Sequence, residues 1–295
     1  MDKAPFDESE LKSYRHKLEM PLYVTMVIMN ILIVLAVIVF GILGALGQGP
    51  LAGELGDRIS ELVLGVSGDE SNALAYVIVV VLIPFVLIAS VYFVYAQYRA
   101  RSVRITEKNF PEIYAVIEEY SQRLGLKKVP KVYLTQENGT LNAFSTFILR
   151  RQYVVMLADL FEVAYREHHD MESIKFILAH EMAHIRLRHA TYSYQISILF
   201  ANYIPIISTA LSRAREYSCD RVAQHLVGCS GIEPMLALIV GKHLYKKVDI
   251  EDYVEHCLET RGFFVFLYNL LSTHPIMPKR VQALLKDQGS GRLFF

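Results

Sequence analysis

Five consecutive residues, His180-Glu181-Met182-Ala183-His184, carry the strongest chemical signal in the sequence. Two histidines four positions apart lie on the same face of an α-helix, so both imidazoles can bind one metal ion. Glu181 lies about 100° around the helix axis from His180, where it can take a proton from water activated by the metal. The pattern therefore predicts a metal-binding helix with an adjacent base. The alternative is a helix that only exposes two histidines.

A hydrolytic zinc site needs a third protein ligand and one open position. One known arrangement has a histidine six residues after the second histidine, but here His189 is displaced from that spacing by one residue. Glu216 is the better candidate, because Asp220 follows it by one helical turn on the same face. We expect Glu216 to bind the metal and Asp220 to support a ligand histidine. The alternative is a solvated helix face on which the two carboxylates pair with Arg213 and Arg215.

The elements that must position these residues are mostly helical. Asp170 is suited to cap the helix that leads into the histidine motif. Upstream, residues 111–124 have the apolar stripe of a helix, and Asn138-Gly139 signals a turn. Three short runs are typical of strands, the last two of them forming a hairpin: 132–134, 141–149 and 153–157. The pattern predicts a mostly α-helical domain with a small β-sheet, of the α+β class.

Ahead of this domain lie two long apolar stretches, 20–53 and 71–98, neither of which contains a charged side chain. Each is long enough to cross a bilayer of about 30 Å as a helix. We predict membrane spans at 21–47 and 74–98. A pair of buried core helices is the alternative, and removal of the first stretch as a signal peptide is disfavoured by the long preceding tail of mixed charge.

The distribution of basic residues predicts the orientation of these spans. The connecting segment carries only Arg58, whereas the flanking segments are rich in lysine and arginine: Lys3, Lys12, Arg15 and Lys17 before the first span, and Arg99, Arg101, Arg104 and Lys108 after the second. We therefore expect a cytoplasmic tail at 1–20, a short external loop at 48–73 and a cytoplasmic domain at 99–295. In that loop, residues 51–70 have the spacing of a short amphipathic helix.

A further uncharged stretch, 192–212, lies between the histidine motif and Glu216. One full membrane crossing there would separate residues that must meet. We expect a buried or membrane-surface helix, with a re-entrant pair as the alternative. The overall charge of zero disfavours a nucleic-acid partner, and three cysteines, an odd number, disfavour a disulfide framework. We predict a small buried thiol at Cys219.

His180-Glu181-x-x-His184, followed by Ser212-Arg213-Ala214-Arg215-Glu216 and Asp220, resembles the HtpX-type membrane zinc metallopeptidases, which are related to the CAAX prenyl proteases. Asn142-Ala143-Phe144 upstream and Thr273-His274-Pro275 downstream agree with that pattern. The resemblance covers about residues 105 to 285. HtpX-like chains have two apolar spans between the second histidine and the glutamate, whereas only one apolar stretch fits here.

The resemblance implies a zincin-like metallopeptidase domain that holds one Zn²⁺ through His180, His184 and Glu216. It implies that Glu181 is the base, that Asp220 supports the site, and that the strand with Asn142, Ala143 and Phe144 lies along the substrate cleft. We assign His274 to oxyanion stabilisation or to an extra metal contact, with a simple turn before a helix as the alternative.

We therefore expect a multi-pass protein of the cell (inner) membrane that cleaves peptide bonds in protein or peptide substrates, among them misfolded or membrane proteins. The lipid bilayer is its second partner. A non-catalytic scaffold or chaperone-like protein that keeps the peptidase fold is the alternative, which the intact Glu181 disfavours. Intramembrane proteolysis is disfavoured by the basic residues around the motif, and deformylase-like chemistry by the absence of any cysteine before Cys219.

Overall fold

The computed structural model describes residues 4–45, 72–136, 143–148, 151–286 and 291–294. Over these residues the helices are α1 (Glu8–Tyr14), α2 (Glu19–Ala45), α3 (Asn72–Arg101), α4 (Pro111–Arg123), α5 (Ala158–Glu162), α6 (Met171–Arg186), α7 (Tyr192–Ser197), α8 (Ile207–Val227), α9 (Ile232–Val240), α10 (Ile250–Glu259), α11 (Phe263–Leu271) and α12 (Met277–Leu284). A short π-helix (Val163–Glu167) and two short 3-10 helices (Ala201–Tyr203 and Tyr245–Lys247) connect some of them.

The strands are β1 (Val103–Arg104), β2 (Lys131–Thr135), β3 (Ala143–Ile148) and β4 (Arg151–Leu157), and they form one sheet in the order β1-β2-β4-β3. β2 and β4 are parallel, while β3 runs antiparallel to β4, as the predicted hairpin requires. Residues 153–157 of β4 form a continuous apolar run buried in the sheet, which suits a central strand. The predicted mixture of many helices and a small sheet is confirmed.

Helix α6 carries the histidine motif and lies in the centre of the domain. Asp170 caps it by accepting a hydrogen bond from the backbone N–H of Ser173 at 3.0 Å, as predicted. Its apolar side chains, among them Ile174, Leu178 and Met182, are fully buried in the main core. This core extends to α4, α8 and the sheet, so the motif is fixed between α8 on one side and β3 on another.

Helix α2 is apolar and, along much of its length, unburied. Its segment Glu19–Phe40 is the one part of the described chain that is long and apolar enough to cross a membrane. The side chains of Ile28, Leu32 and Leu35 are more than half exposed. In a water-soluble domain such a face would be strongly unfavourable, whereas it suits contact with lipid.

The sequence predicts a second span, but the described residues yield only one candidate. The predicted span 74–98 lies within α3, which is a continuous helix of 30 residues, although many of its side chains lie outside the described part. Helix α3 packs against α2, and its final turns contact the sheet, where the rings of Tyr95 and Tyr153 are 4.7 Å apart. The predicted external loop, with its amphipathic pattern at 51–70, and the predicted turn at Asn138-Gly139 lie outside the described residues.

The uncharged segment 192–212 is not one helix. It consists of α7, a 3-10 turn and the start of α8, and it packs against one face of α2 around Met26. The side-chain oxygen of Asn30 accepts a hydrogen bond from the backbone N–H of Phe200 at 2.8 Å, which satisfies a polar group that would otherwise be costly on this helix. The predicted single helix over this stretch is therefore wrong, and α7 with its six residues is too short to cross a bilayer.

Candidate metal centre

Three side chains of α6 and α8 bring their donor atoms close together. The Nε2 atoms of His180 and His184 are 3.2 Å apart. Glu216 Oε2 lies 3.5 Å from the first of them, and Oε1 lies 3.4 Å from the second. A tetrahedral zinc ion with bonds of about 2.0–2.1 Å places its ligand atoms about 3.3–3.4 Å from one another. The distances between the three side chains are therefore close to those that such an ion requires.

The outer nitrogen of His180 faces a buried ion pair. Its Nδ1 atom lies 2.8 Å from Asp220 Oδ1, and Arg280 Nε donates a 2.7 Å hydrogen bond to Asp220 Oδ2. Burial opposes protonation of His180, but the contacts with Asp220 and Glu216 raise its pKa to about 10. For Asp220 burial acts in the opposite direction to Arg280, and the arginine lowers the pKa of the carboxyl. This excess of buried negative charge around His180 is what a bound cation would neutralise.

Glu216 is ionised for the same kind of reason. Burial alone would raise its pKa, but hydrogen bonds with His180, His184 and His274 hold that pKa well below its ordinary range. His274 lies in the turn between α11 and α12, and its Nδ1 atom is 3.1 Å from Glu216 Oε2. The pKa of His274 is raised, chiefly by this hydrogen bond. The downstream motif thus contacts the carboxylate of Glu216 on α8, although the side chain of His274 remains two-thirds exposed.

Glu181 and the upstream motif lie beside this cluster. The side chain of Glu181 is buried next to His180 on α6. Ala143 and Phe144 begin β3, where they pair with Met156 and Val155 of β4, and β3 packs against α6. Asn142, the first residue of that motif, lies outside the described residues.

The comparisons with known proteins agree with this geometry. The model of peptidase family M48 matches residues 107–201 and 192–288, which together exceed half of the chain. The chain belongs to peptidase family M48. It is therefore a membrane-associated metallopeptidase of the HtpX type, as the sequence motifs predict.

Two curated relatives illustrate the breadth of this M48 similarity. The chain is 25% identical to the "Protease HtpX homolog" of Aquifex aeolicus, in an alignment that covers 76% of this chain and 87% of the relative. It is 26% identical to the protein of the same name from Polynucleobacter necessarius, over 64% of this chain and 77% of the relative. No solved structure gives a significant match.

The two arginines that the sequence suggested as partners for Glu216 and Asp220 have other contacts. The Nη1 atom of Arg213 donates to the backbone carbonyls of Leu270 and Ser272, and Arg215 lies over the ring of Tyr194. The solvated-face alternative is wrong, because Glu216 and Asp220 are both buried. The true partner, Arg280, follows His274 by six residues and joins the site only because α12 packs against α8.

A second cluster adjoins the centre and shares His184. The Nδ1 atoms of His184 and His189 are 3.0 Å apart, and Cys219 Sγ lies 3.7 Å from His189 Nδ1. The thiol is fully buried, as predicted, and burial raises its pKa well above the ordinary value. Of the two clusters, the one at His180, His184 and Glu216 contains both histidines of the predicted motif.

Proposed function

We propose that this metallopeptidase is a zinc-dependent endopeptidase that hydrolyses peptide bonds within protein substrates. The observation that carries the proposal is the spacing of the Nε2 atoms of His180 and His184 and the carboxylate of Glu216, all between 3.2 and 3.5 Å. These three groups would hold the ion, with Asp220 behind His180. Two imidazoles and a carboxylate are a ligand set that catalytic zinc sites use.

When bound, zinc polarises a peptide carbonyl and makes water acidic enough to be deprotonated near neutral pH. The carboxylate of Glu181 would accept the proton from the attacking water and deliver it to the nitrogen of the leaving amine. His274 would donate a hydrogen bond to the oxyanion that develops on the carbonyl, since its ring lies at the exposed side of Glu216. An additional contact with the metal is the alternative role for this histidine.

We infer that the substrate binds as an extended strand along β3. β3 is the last strand of the described sheet on that side, and it packs against α6. Main-chain hydrogen bonds to such an edge recognise an unfolded or extended segment with little side-chain selection. Asn142, Ala143 and Phe144 would contact that segment. This mode of binding suits misfolded proteins or mobile segments of membrane proteins.

The chain is proposed to be a multi-pass protein of the cell (inner) membrane, with both termini and the peptidase domain (99–295) in the cytoplasm. The exposed apolar surface of α2 supports the first span, and its packing against α3 supports the second. Basic residues flank both helices on the proposed cytoplasmic side, and the tail (1–20) and loop (48–73) would lie on opposite sides.

The test is casein cleavage by the full chain in detergent with added zinc, with bound zinc measured in every sample. Wild type is compared with Glu181→Gln, which keeps the size of the side chain and removes the base, and with Glu216→Gln, which weakens the ligand set. We expect wild type to cut, Glu181→Gln to hold zinc but lose at least about 10³-fold in rate, and Glu216→Gln to lose zinc.

Two results would contradict the proposal. If wild type holds no zinc, the ligand set is wrong. If Glu181→Gln cuts as fast as wild type, another group is the base. Zinc binding by wild type without cleavage of any unfolded substrate would instead support the scaffold alternative.

A further inference from the structure

The outer nitrogen of His184 faces a second, separate chain of buried groups. Its Nδ1 atom lies 3.0 Å from Nδ1 of His189. On the far side of that ring, His189 Nε2 lies 3.1 Å from Oε1 of Glu19. The side chains of His189 and Glu19 are both only 2% exposed, so water does not compete for these contacts.

One arrangement of protons satisfies every hydrogen bond from His184 through His189 to Glu19. If Nε2 of His184 keeps its lone pair for a metal, its Nδ1 carries the hydrogen and donates to Nδ1 of His189. His189 then carries its own hydrogen on Nε2 and donates it to the carboxylate of Glu19. Neutral His189 therefore acts as acceptor and donor at once. Hydrogen bonding of this kind to a ligand histidine fixes both its tautomer and the plane of its ring.

The backbone at the end of α6 is shaped to bring His189 to this place. The N–H of His189 bonds to the carbonyl of His184, and the N–H of Arg188 bonds to that of Ile185, both at 3.1 Å. These two bonds make a Schellman motif, in which the first residue after the helix cap takes a left-handed conformation. Here that residue is Arg188, with φ of 65°. The motif turns the chain back so that the ring of His189 contacts that of His184.

Glu19 is held just as firmly and comes from the far end of the chain. It is the first residue of α2, the candidate membrane helix. Arg15 donates a 2.7 Å hydrogen bond to its Oε1 atom, and the hydroxyl of Ser218 donates to Oε2. Ser218 follows Glu216 by two residues on α8. The carboxylate thus connects the start of the candidate membrane helix to α8 and to the turn that follows α6.

We propose that His189 and Glu19 are positioning residues for the metal centre, which hold His184 in the orientation and tautomer that binds the metal. The N-terminal end of the membrane helix is then a working part of the metal site as well as an anchor. This inference rests on the ligand set proposed above, since it assigns Nε2 of His184 to the metal.

A matched pair of variants at position 189 separates this role from packing. In His189→Asn the side-chain oxygen takes the place of Nδ1 and can still accept from His184. In His189→Gln the amide nitrogen takes the place of Nε2 and can still donate to Glu19, but the acceptor for His184 is lost. Tyr194→Phe is the control, because its ring lies 6.1 Å from that of His189 and its hydroxyl has no hydrogen-bond partner among the described residues.

The measurements are the zinc dissociation constant of the full chain in detergent, the number of zinc ions per chain, the visible spectrum of the Co²⁺ form, and the melting temperature with a chelator. We expect His189→Gln to weaken zinc binding about 10- to 100-fold and to change the Co²⁺ spectrum, with His189→Asn and Tyr194→Phe within about threefold of wild type. Glu19→Gln should weaken zinc binding when position 189 is histidine, because Glu19 fixes the tautomer of that ring. In the His189→Asn background it should have no further effect, because the amide oxygen accepts from His184 without any tautomer.

Three outcomes would overturn the inference. His189→Gln could bind zinc as tightly as wild type, or both position-189 variants could lose zinc in proportion to a fall in melting temperature, which would make the role one of folding. Two zinc ions per chain, reduced to one by Cys219→Ala, would show that His184, His189 and Cys219 form a metal site of their own. Failure of wild type to bind zinc at all would refute the proposed function instead.

Discussion

The two proposed ligand histidines of α6 are supported in different ways. Behind His180 lies a charged pair, Asp220 and Arg280, that belongs entirely to the peptidase domain. Behind His184 lies a neutral imidazole, His189, followed by a carboxylate from the candidate membrane helix. The first support is a buried salt bridge, and the second is a relay of hydrogen bonds between two parts of the chain.

The difference indicates which half of the centre depends on the candidate membrane helix α2. A salt bridge inside the domain keeps His180 oriented wherever α2 lies, provided that α12 remains packed on α8. The support of His184 lasts only while the first turn of α2 stays packed against α8 and the turn that follows α6. Displacement of α2 should therefore loosen one ligand and leave the other in place.

Of the changes that test this comparison, removal of the charged support behind His180 should lower the free energy of unfolding most. Asp220→Asn leaves the buried guanidinium of Arg280 without its main counter-charge, and we expect a loss of about 3–5 kcal/mol in the free energy of unfolding. Glu19→Gln on the other side should cost only about 1–3 kcal/mol, since its basic partner is partly exposed to solvent. Chemical unfolding in detergent with a chelator measures both. Equal losses would contradict the comparison.

The metal-free protein should also respond to pH in opposite directions on the two sides. The contacts with carboxylates raise the pKa of His180 to about 10, so its stabilisation is complete below its ordinary pKa of 6.5 and is lost as the pH rises. Burial lowers the pKa of His189 to about 4, so stability falls as the pH drops below 6.5, where only the unfolded chain takes up the proton.

Unfolding curves between about pH 5 and pH 9 in the presence of a chelator test this expectation. Asp220→Asn should flatten the decline on the alkaline side, and His189→Asn should flatten the decline on the acid side. If either variant flattens the opposite arm, the assignment of charges to the two histidines is wrong.

The smallest effect concerns the turn that returns His189 to the site. A left-handed conformation costs a residue with a side chain about 1–2 kcal/mol relative to the right-handed form, and glycine avoids that penalty. Because Arg188 is exposed, Arg188→Gly should stabilise the protein by about 1 kcal/mol and leave zinc affinity unchanged. Arg188→Ala is the control and should not stabilise it. A destabilised Arg188→Gly would show that the side chain itself matters.

Much of the fold follows from local patterns that the sequence displays directly. The cap at Asp170, the helix that it begins, the hairpin of β3 and β4 and the helix α4 are all set by residues within one or two turns of each other. Helix α2 is predicted for the same reason, since a long apolar run has one stable form in lipid. The break of 192–212 into short pieces is the clearest departure, and it arises because this segment packs on α2 instead of standing alone.

The candidate site divides along the same line. The spacing of His180, Glu181 and His184 is fixed by the period of one helix, and that of Glu216 and Asp220 by another, so the sequence alone determines both sets. Arg280, His189 and Glu19 carry no such signal. Arg280 and Glu19 are far along the chain from the residues that they contact, and His189 reaches His184 only because the chain turns back after α6. The packing of α2, α6, α8 and α12 around one core brings these side chains together. A helix's period is a property of neighbouring residues, whereas the meeting of distant side chains depends on how every element between them folds.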